Sequence, residues 1–320
     1  MKLIAAFFQL IRWPNLFFIA LTQSLFYFAV VKNVYGISSQ VSKLGTMDIL
    51  FAWLVLASVC IAAAGYIIND YFDRQIDAIN KPDKIVIDRH VKRHWAIVWH
   101  LSLSALGILI SAWVSYHTGK WVILFANTSS VMLLWVYSTR FKKKLLTGNL
   151  LIAALTAWVI VVLYFFSGAS LINYKGWNPG NHLLKNAQLY KFTFLYAGFA
   201  FIISLIREVI KDIEDMQGDA QYDCRTMPIV WGIPVTKMFT AVWMVVCIAA
   251  LFIILLYAWQ SGWWAIAVYS TCSVLFPLVY LLWQLHRASL SADYHRLSNL
   301  LKWIMLAGIL SMLFFFLPNR

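Results

Sequence analysis

Long apolar runs of about twenty residues alternate along the chain with short polar segments. Nine such runs can be distinguished, and their middles lack acidic and basic residues. Runs of this length match the thickness of a bilayer when they are helical, because a helix satisfies its own backbone hydrogen bonds in lipid. The expected spans are Trp13–Val31, Met47–Tyr66, Ala96–Tyr116, Trp121–Tyr137, Leu150–Ser167, Phe192–Ile210, Phe239–Trp259, Trp263–Leu285 and Leu300–Leu317.

The composition agrees with this pattern and narrows the class of protein. Hydrophobic residues make up 62% of the 320 residues, charged residues make up 12%, and the mean hydropathy is +0.73. A soluble globular protein carries roughly 25% charged residues, so soluble enzyme classes are excluded. The sequence therefore predicts an all-α, polytopic integral membrane protein of about nine transmembrane helices, with a single transmembrane domain over residues 1–320.

The basic residues give the predicted helices an orientation. With the N-terminus in the cytosol, 19 of the 26 lysines and arginines fall in cytosolic segments and 7 fall on the other side. Cytosolic loops of membrane proteins carry such an excess, so we expect the N-terminus inside, in an inner or plasma membrane. The net charge of +13 follows from this asymmetry and requires no nucleic-acid partner.

Acidic residues are rare and lie almost entirely in two clusters at the cytosolic ends of spans. Of the 13 aspartates and glutamates, 11 lie between Asp70 and Asp88 or between Glu208 and Asp223. Each cluster contains the spacing DxxDxxxD. On a continuous helix these positions share one face, where like charges repel. The pattern predicts two facing acidic stripes that hold Mg²⁺, which binds few carboxylates and completes its shell with water and substrate phosphate.

Basic residues close to the clusters fit a diphosphate bound together with Mg²⁺. A run of lysines follows the fourth predicted span, and two further basic residues flank the start of the second cluster. Lysine binds phosphate as a point charge, and arginine binds it through two hydrogen bonds. The candidate diphosphate contacts are therefore Lys142, Lys143, Lys144, Arg207 and Lys211.

These motifs together resemble the UbiA superfamily of intramembrane prenyltransferases. NDYFDRQID, residues 69–77, resembles the NDxxDxxxD motif of that family, and DIEDMQGD, residues 212–219, resembles its DxxDxxxD motif. RWPN, residues 12–15, resembles its Arg-Pro-x-Asn signature with the proline shifted by one. YSTRFKKKLLTGN, residues 137–149, resembles its loop of Tyr-Ser, basic residues and Gly-Asn. The resemblance covers nearly the whole chain and implies nine helices with both aspartate motifs cytosolic.

The resemblance implies Mg²⁺-dependent transfer of a prenyl chain from a prenyl diphosphate to a lipid-soluble acceptor. By this resemblance Tyr137 lies near the reacting carbon, and Asn15 joins the basic residues in binding the substrate. The implied catalytic residues are Asn69, Asp70, Asp73, Tyr137, Asp212 and Asp215. The implied metal ligands are Asp70, Asp73, Asp77, Asp212, Asp215 and Asp219.

One loop departs from the family pattern. Many members continue the first motif with Arg-Pro-x-Arg-Pro-x-Pro-Ser-Gly, whereas this chain has NKPDKIVIDRHVKR over residues 80–93. The charge pattern of residues 81–84 is kept, but the later proline and the Ser-Gly pair are missing. This loop forms a cap in the family, so the departure affects the expected acceptor.

The acceptor and the reaction have several alternatives. The stretch REVIKDIEDMQGD is most like the digeranylgeranylglyceryl phosphate synthase branch, which favours geranylgeranylglyceryl phosphate as the acceptor. An aromatic quinone precursor, such as 4-hydroxybenzoate or a naphthoate, is the alternative acceptor. An intramembrane terpene synthase would ionise the same diphosphate without an acceptor. A cation transporter is disfavoured, because transport sites carry ionisable residues near the membrane midplane and these spans lack them there.

Overall fold

The computed structural model describes residues 2–36, 45–82, 85–170 and 179–316. These residues form helices and no strand, with one isolated bridge between Ile87 and Val91. The loop residues Asp83 and Lys84 and the end of the ninth predicted span, Leu317, lie outside the described residues. The helices are α1 (Lys2–Leu10), α2 (Trp13–Tyr35), α3 (Thr46–Asn80), α4 (Arg93–Thr118), α5 (Trp121–Thr139), α6 (Thr147–Ser170), α7 (Pro179–Glu214), α8 (Met216–Gln221), α9 (Met227–Val230), α10 (Gly232–Gln260), α11 (Trp264–Arg287) and α12 (Ser291–Phe316).

Nine helices in the described ranges are long and apolar enough to cross a membrane, as the sequence predicts. They are α2 to α7 and α10 to α12, and they confirm the predicted all-α class. Several helices are longer than the apolar runs, since hydropathy reports the lipid-embedded part and not the helix end. The clearest case is α3, which continues past Tyr66 to Asn80 and carries the first aspartate motif.

The chain divides into two compact units. The N-terminal unit contains Met1–Phe141 and Trp158–Leu195, and the C-terminal unit contains Lys142–Ala157 and Tyr196–Arg320. The predicted single domain over residues 1–320 stays a prediction.

Small residues allow the helices of the N-terminal unit to pack closely. A Cβ atom added to Gly107 of α4 would lie 2.7 Å from Cγ1 of Ile61 and 3.3 Å from the carbonyl oxygen of Ala57, both on α3. One added to Gly65 of α3 would lie 2.8 Å from Cδ1 of Leu134 on α5. Such small-residue contacts are characteristic of helix pairs in membranes, where van der Waals packing replaces the hydrophobic effect as a driving force.

Buried amides connect further helices of this unit. The side-chain amide nitrogen of Gln23 on α2 donates to Oγ of Ser58 and to the carbonyl oxygen of Val159, each at 3.0 Å. Nε1 of Trp158 on α6 donates to Oδ1 of Asn127 on α5 at 3.0 Å. These bonds satisfy polar groups that lipid could not solvate, so they specify which helices become neighbours.

We predict that Gly107→Leu destabilises the protein. The new side chain meets backbone as well as Ile61, and overpacking of this kind costs about 1–3 kcal/mol. Thermal unfolding in detergent should show a lower Tm. Gly198→Leu is the matched control, because a Cβ atom at Gly198 meets nothing within 4 Å. Equal Tm values for the two variants would contradict the close packing of α3 and α4.

The C-terminal unit is built around an apolar core shared by four helices, α7, α10, α11 and α12. Its buried members include Ile206, Ile210, Met244, Cys247, Leu278, Leu281, Leu297 and Leu301. A smaller cluster joins Ala153 of α6 to Leu205 and Val209 of α7 and to Met227 of α9. This smaller cluster holds the start of α6 and the segment after the second aspartate motif against α7.

Candidate active site

The first aspartate motif lies on the last turns of α3. The helix is continuous to Asn80, so the predicted sharing of one face by Asp70, Asp73 and Asp77 applies here. Nδ2 of Asn69 donates to Oδ2 of Asp73 at 2.5 Å. Asp73 is only 4% exposed. A neutral amide thus holds a nearly buried carboxylate in place without cancelling its charge.

Arg12 contacts the first motif, although it is not among the site residues that the sequence predicts. It connects α1 to α2 in a left-handed backbone conformation, with φ 51° and ψ 55°. Its guanidinium donates to Oδ1 of Asp70 at 2.5 Å and lies 5.3 Å from the ring centroid of Tyr66. The negative charge of Asp70 raises the pKa of Arg12 further above its ordinary value. The RWPN signature was the sequence signal for this residue.

Asn15 and Tyr137, two further predicted site residues, lie on α2 and α5. Asn15 lies in the first turn of α2, where its backbone N–H donates to the carbonyl oxygen of Arg12 at 2.8 Å. No hydrogen bond joins its side chain to another of the described residues. Tyr137 lies in the last turn of α5 and is partly buried. Their predicted roles in substrate binding and catalysis stay predictions.

The loop after the first motif is fixed by apolar anchors and an ion pair. Val86, Ile87 and Val91 are buried in a cluster with residues of α1, α3 and α4. Asp88, at φ 69°, pairs with Arg74 of α3 and accepts a hydrogen bond from Nε of Arg93 at 3.0 Å. The loop that lacks the Pro and Ser-Gly pattern of the family is therefore held by apolar side chains.

The second aspartate motif is not on one continuous helix, and the predicted single stripe is wrong in this respect. Asp212 is on α7, Asp219 is on α8, and Asp215 is the single residue between the two helices. Backbone hydrogen bonds from Asp215 to Lys211 and from Asp219 to Asp215 nevertheless continue across the break.

An asparagine also supports the second motif. Nδ2 of Asn149, in the first turn of α6, donates to Oδ2 of Asp212 at 2.8 Å. Asn149 is the last residue of the YSTRFKKKLLTGN loop, so the sequence marked the loop but not this contact. Asp219 is 4% exposed. Both motifs thus contain an aspartate whose carboxylate accepts from an asparagine amide.

Two predicted diphosphate contacts, Arg207 and Lys211, share an acidic partner on α7. The guanidinium of Arg207 pairs with Glu208 at 2.9 Å, and Nζ of Lys211 pairs with Glu208 at 3.2 Å. Nε of Arg207 is buried and has no acceptor within the part of the chain that the structure describes. This donor could bind an anionic oxygen without breaking the pair with Glu208.

The lysine run is attached to the segment that follows the second motif. The backbone N–H of Arg225 donates to the carbonyl oxygen of Lys143 at 2.8 Å, and Nζ of Lys143 donates to the carbonyl oxygen of Tyr222 at 3.3 Å. The positive charge of Lys142 attracts the carboxylate of Asp212. Within the C-terminal unit, the predicted basic and acidic groups therefore belong to one neighbourhood.

A model of the UbiA prenyltransferase family matches residues 34–315, which is most of the chain. The chain belongs to this family. The predicted family, and with it the class of prenyltransferases, is confirmed.

Two similar UbiA-family relatives are archaeal digeranylgeranylglyceryl phosphate synthases. The protein from Methanospirillum hungatei is 31% identical over 208 residues, which are 65% of this chain and 66% of that protein. The protein from Methanoregula boonei is 29% identical over 236 residues, which are 74% of this chain and 76% of that protein. The chain thus matches about two thirds to three quarters of the length of these relatives.

Solved UbiA homologues have the same fold. The apo structure of a homologue from Aeropyrum pernix K1 is 15% identical, with a TM-score of 0.61 over 98% of this chain and 99% of that one. A homologue from Archaeoglobus fulgidus, solved with DMAPP and Mg²⁺, is 13% identical, with a TM-score of 0.55 over 96% and 98% of the two chains. At this identity the likeness establishes the UbiA fold alone.

The residues of this UbiA chain fit Mg²⁺ bound together with a substrate. No group of three or more His, Cys, Asp or Glu side chains that could hold a metal ion is found among the described residues. Mg²⁺ commonly binds through one or two carboxylates and takes its other ligands from water and substrate phosphate. Oδ1 of Asn69 is buried and accepts no hydrogen bond from a described residue, so this oxygen is a free acceptor beside Asp73.

Proposed function

We propose that this UbiA-family protein transfers a prenyl group from a prenyl diphosphate to a lipid-soluble acceptor in a Mg²⁺-dependent reaction. The observation that carries the proposal is the pair of amide-supported carboxylates, Asn69 with Asp73 and Asn149 with Asp212. An amide donor fixes one carboxylate oxygen and leaves the negative charge available. Such outer-shell support is characteristic of metal-binding carboxylates.

The aspartates are the proposed Mg²⁺ ligands. Asp70, Asp73 and Asp77 serve in the N-terminal unit, and Asp212, Asp215 and Asp219 serve in the C-terminal unit. Bound Mg²⁺ would neutralise the donor diphosphate and stabilise its charge as it leaves. The homologue from Archaeoglobus fulgidus, which was solved with DMAPP and Mg²⁺, supports the choice of Mg²⁺ as the metal.

The basic residues are the proposed contacts of the diphosphate oxygens. Nε of Arg207 is a buried donor that lacks an acceptor among the described residues, and a phosphate oxygen would satisfy it. Lys142, Lys143, Lys144 and Lys211 supply further positive charge, with Asn15 as a polar contact. Donors placed before the reaction stabilise developing charge without reorganising during the step.

The reaction replaces the bond between C1 and the donor diphosphate with a bond between C1 and the acceptor oxygen. The C1–O bond of the donor lengthens, and the diphosphate leaves with the electron pair. The acceptor hydroxyl oxygen forms the new bond to C1, its O–H bond breaks, and the proton passes to the departing diphosphate. Tyr137 is a proposed neighbour of C1, because an aromatic face stabilises developing cationic charge. Exclusion of water prevents the cation from being captured as an alcohol.

The proposed acceptor is a lipid that carries a hydroxyl and a glyceryl phosphate group, such as geranylgeranylglyceryl phosphate. The two relatives named as digeranylgeranylglyceryl phosphate synthases support this choice. We further propose a cytosolic N-terminus, on the asymmetry of the basic residues.

An acceptor panel tests the proposal. Purified protein in liposomes receives radiolabelled geranylgeranyl diphosphate, Mg²⁺ and one of four additions: geranylgeranylglyceryl phosphate, 4-hydroxybenzoate, a naphthoate or no acceptor. We expect label to move only to the glyceryl phosphate lipid, with a product mass equal to the acceptor plus one prenyl group. Transfer to an aromatic acceptor alone would contradict the acceptor assignment. A cyclic hydrocarbon formed without acceptor would contradict the transferase.

A further inference from the structure

Glu214 is the one acidic residue between Asp212 and Asp215, and the DxxDxxxD pattern does not use it. Its side chain is only 8% exposed, which is unusual for a carboxylate. Nδ1 of His295, on α12, donates to Oε1 of Glu214 at 2.8 Å. The partner is 81 residues further along the chain, and its side chain is 48% exposed. The end of α7 is thus joined to a helix that carries no predicted site residue.

A second contact acts on the backbone at the same point. Oγ of Ser291, the first residue of α12, donates to the carbonyl oxygen of Glu214 at 3.2 Å. This bond attaches the backbone of Glu214, the last residue of α7, to the start of α12. The first turn of α12 therefore contacts the end of α7 beside the interruption at Asp215.

The turn that supplies these contacts is itself held by hydrogen bonds to Asp293. Oδ2 of Asp293 accepts from the backbone N–H groups of Ser289 and Leu290, at 3.1 Å and 3.0 Å. This is the arrangement that fixes helix N-termini. His295 and Ser291 therefore lie at a helix start that has its own hydrogen bonds.

We propose that His295 and Ser291 are positioning residues for the second aspartate motif. They hold the end of α7, so that Asp212 and Asp215 keep their directions across the break between α7 and α8. His295 also engages the Glu214 carboxylate, which directs it away from competition for Mg²⁺ and leaves the metal to the aspartates. The inference rests on the proposed function, because it assigns the metal to Asp212, Asp215 and Asp219.

Apolar packing holds α12 against α7 without these polar contacts. Tyr294 and Leu297 of α12 lie in the same buried cluster as Ile210 and Ile213 of α7. Loss of the His295 hydrogen bond therefore leaves the helices packed. Because the apolar packing does not depend on the hydrogen bond, a variant of His295 can distinguish a positioning role from a structural one.

His295→Leu, which removes the hydrogen bond, is the test variant. The first measurement is the Mg²⁺ concentration that gives half of the Mg²⁺-induced rise in Tm in the presence of inorganic diphosphate, since ligands that bind the native state stabilise it. The second is the Mg²⁺ concentration for half-maximal prenyl transfer. We expect both to rise about tenfold, the scale at which outer-shell changes weaken metal binding. The Tm without Mg²⁺ should stay at the wild-type value.

His295→Gln and Arg296→Gln complete the design. A glutamine amide can donate to Glu214, so His295→Gln should restore most of the Mg²⁺ dependence. Arg296 is the exposed neighbour of His295, and Arg296→Gln should match wild type. An unchanged Mg²⁺ dependence in His295→Leu would overturn the inference. A lower Tm without Mg²⁺, together with an equal loss of activity at every Mg²⁺ concentration, would also overturn it, because that result indicates a structural role. If wild type binds Mg²⁺ and diphosphate but transfers no prenyl group, the proposed function fails separately.

Discussion

Asp73→Asn is expected to abolish Mg²⁺-dependent prenyl transfer while the protein still inserts and folds. Asp73 is nearly buried, and one of its carboxylate oxygens accepts from Asn69. The substitution keeps the size of the side chain but removes the anionic ligand. Loss of one metal ligand costs several kcal/mol of transition-state stabilisation, which corresponds to a rate decrease of roughly 1000-fold. The measurement is the initial rate of label transfer from geranylgeranyl diphosphate at saturating Mg²⁺.

Asp223→Asn is the matched control for this variant. Asp223 is exposed, lies outside both motifs and has a φ of 55°, a conformation that asparagine adopts readily. The same change of carboxylate to amide should therefore leave both activity and Tm near wild type. Wild-type activity in Asp73→Asn would contradict the assignment of the first motif to Mg²⁺.

Asp212→Asn is expected to have an effect of similar size in the second motif. In wild type, Nδ2 of Asn149 donates to Oδ2 of Asp212. An amide at residue 212 can still accept that hydrogen bond through its oxygen, so the local structure should survive. The charge that binds Mg²⁺ is lost, and with it roughly 1000-fold in rate. The rate is measured at several Mg²⁺ concentrations, because weaker metal binding alone would be rescued by excess Mg²⁺.

The Mg²⁺ dependence of Asp212→Asn distinguishes weaker metal binding from a loss of catalysis. Activity that returns fully at high Mg²⁺ would show that Asp212 contributes affinity only. Wild-type activity at every Mg²⁺ concentration would contradict a metal-binding role for Asp212. Tm values close to that of Asp223→Asn would show that the loss is not caused by unfolding.

The transmembrane spans and the family could be predicted because both depend on local sequence. Apolar runs determine which residues lie in lipid, and the two aspartate motifs with their basic neighbours are specific in combination. The end of α3 was less visible, because the helix continues from Tyr66 to Asn80 after the apolar run has ended. Hydropathy cannot report a helix end that lies in water.

The supporting contacts of the site could not be predicted, because they join residues far apart in sequence. Arg12 and Asp70 are separated by 58 residues, Asn149 and Asp212 by 63, and Glu214 and His295 by 81. The interruption at Asp215 was missed for a different reason. The spacing DxxDxxxD is the same in both motifs, so the pattern alone does not show that a helix ends within the second one.

The central claim is that this chain transfers a prenyl group from a diphosphate in a reaction that needs Mg²⁺. The most direct measurement follows radiolabel from geranylgeranyl diphosphate into lipid product, with purified wild-type protein and geranylgeranylglyceryl phosphate, in Mg²⁺ or in EDTA. We predict labelled product of the summed mass in Mg²⁺ and none in EDTA. Equal transfer in EDTA, or no transfer in Mg²⁺ by protein that is folded and inserted, would contradict the claim.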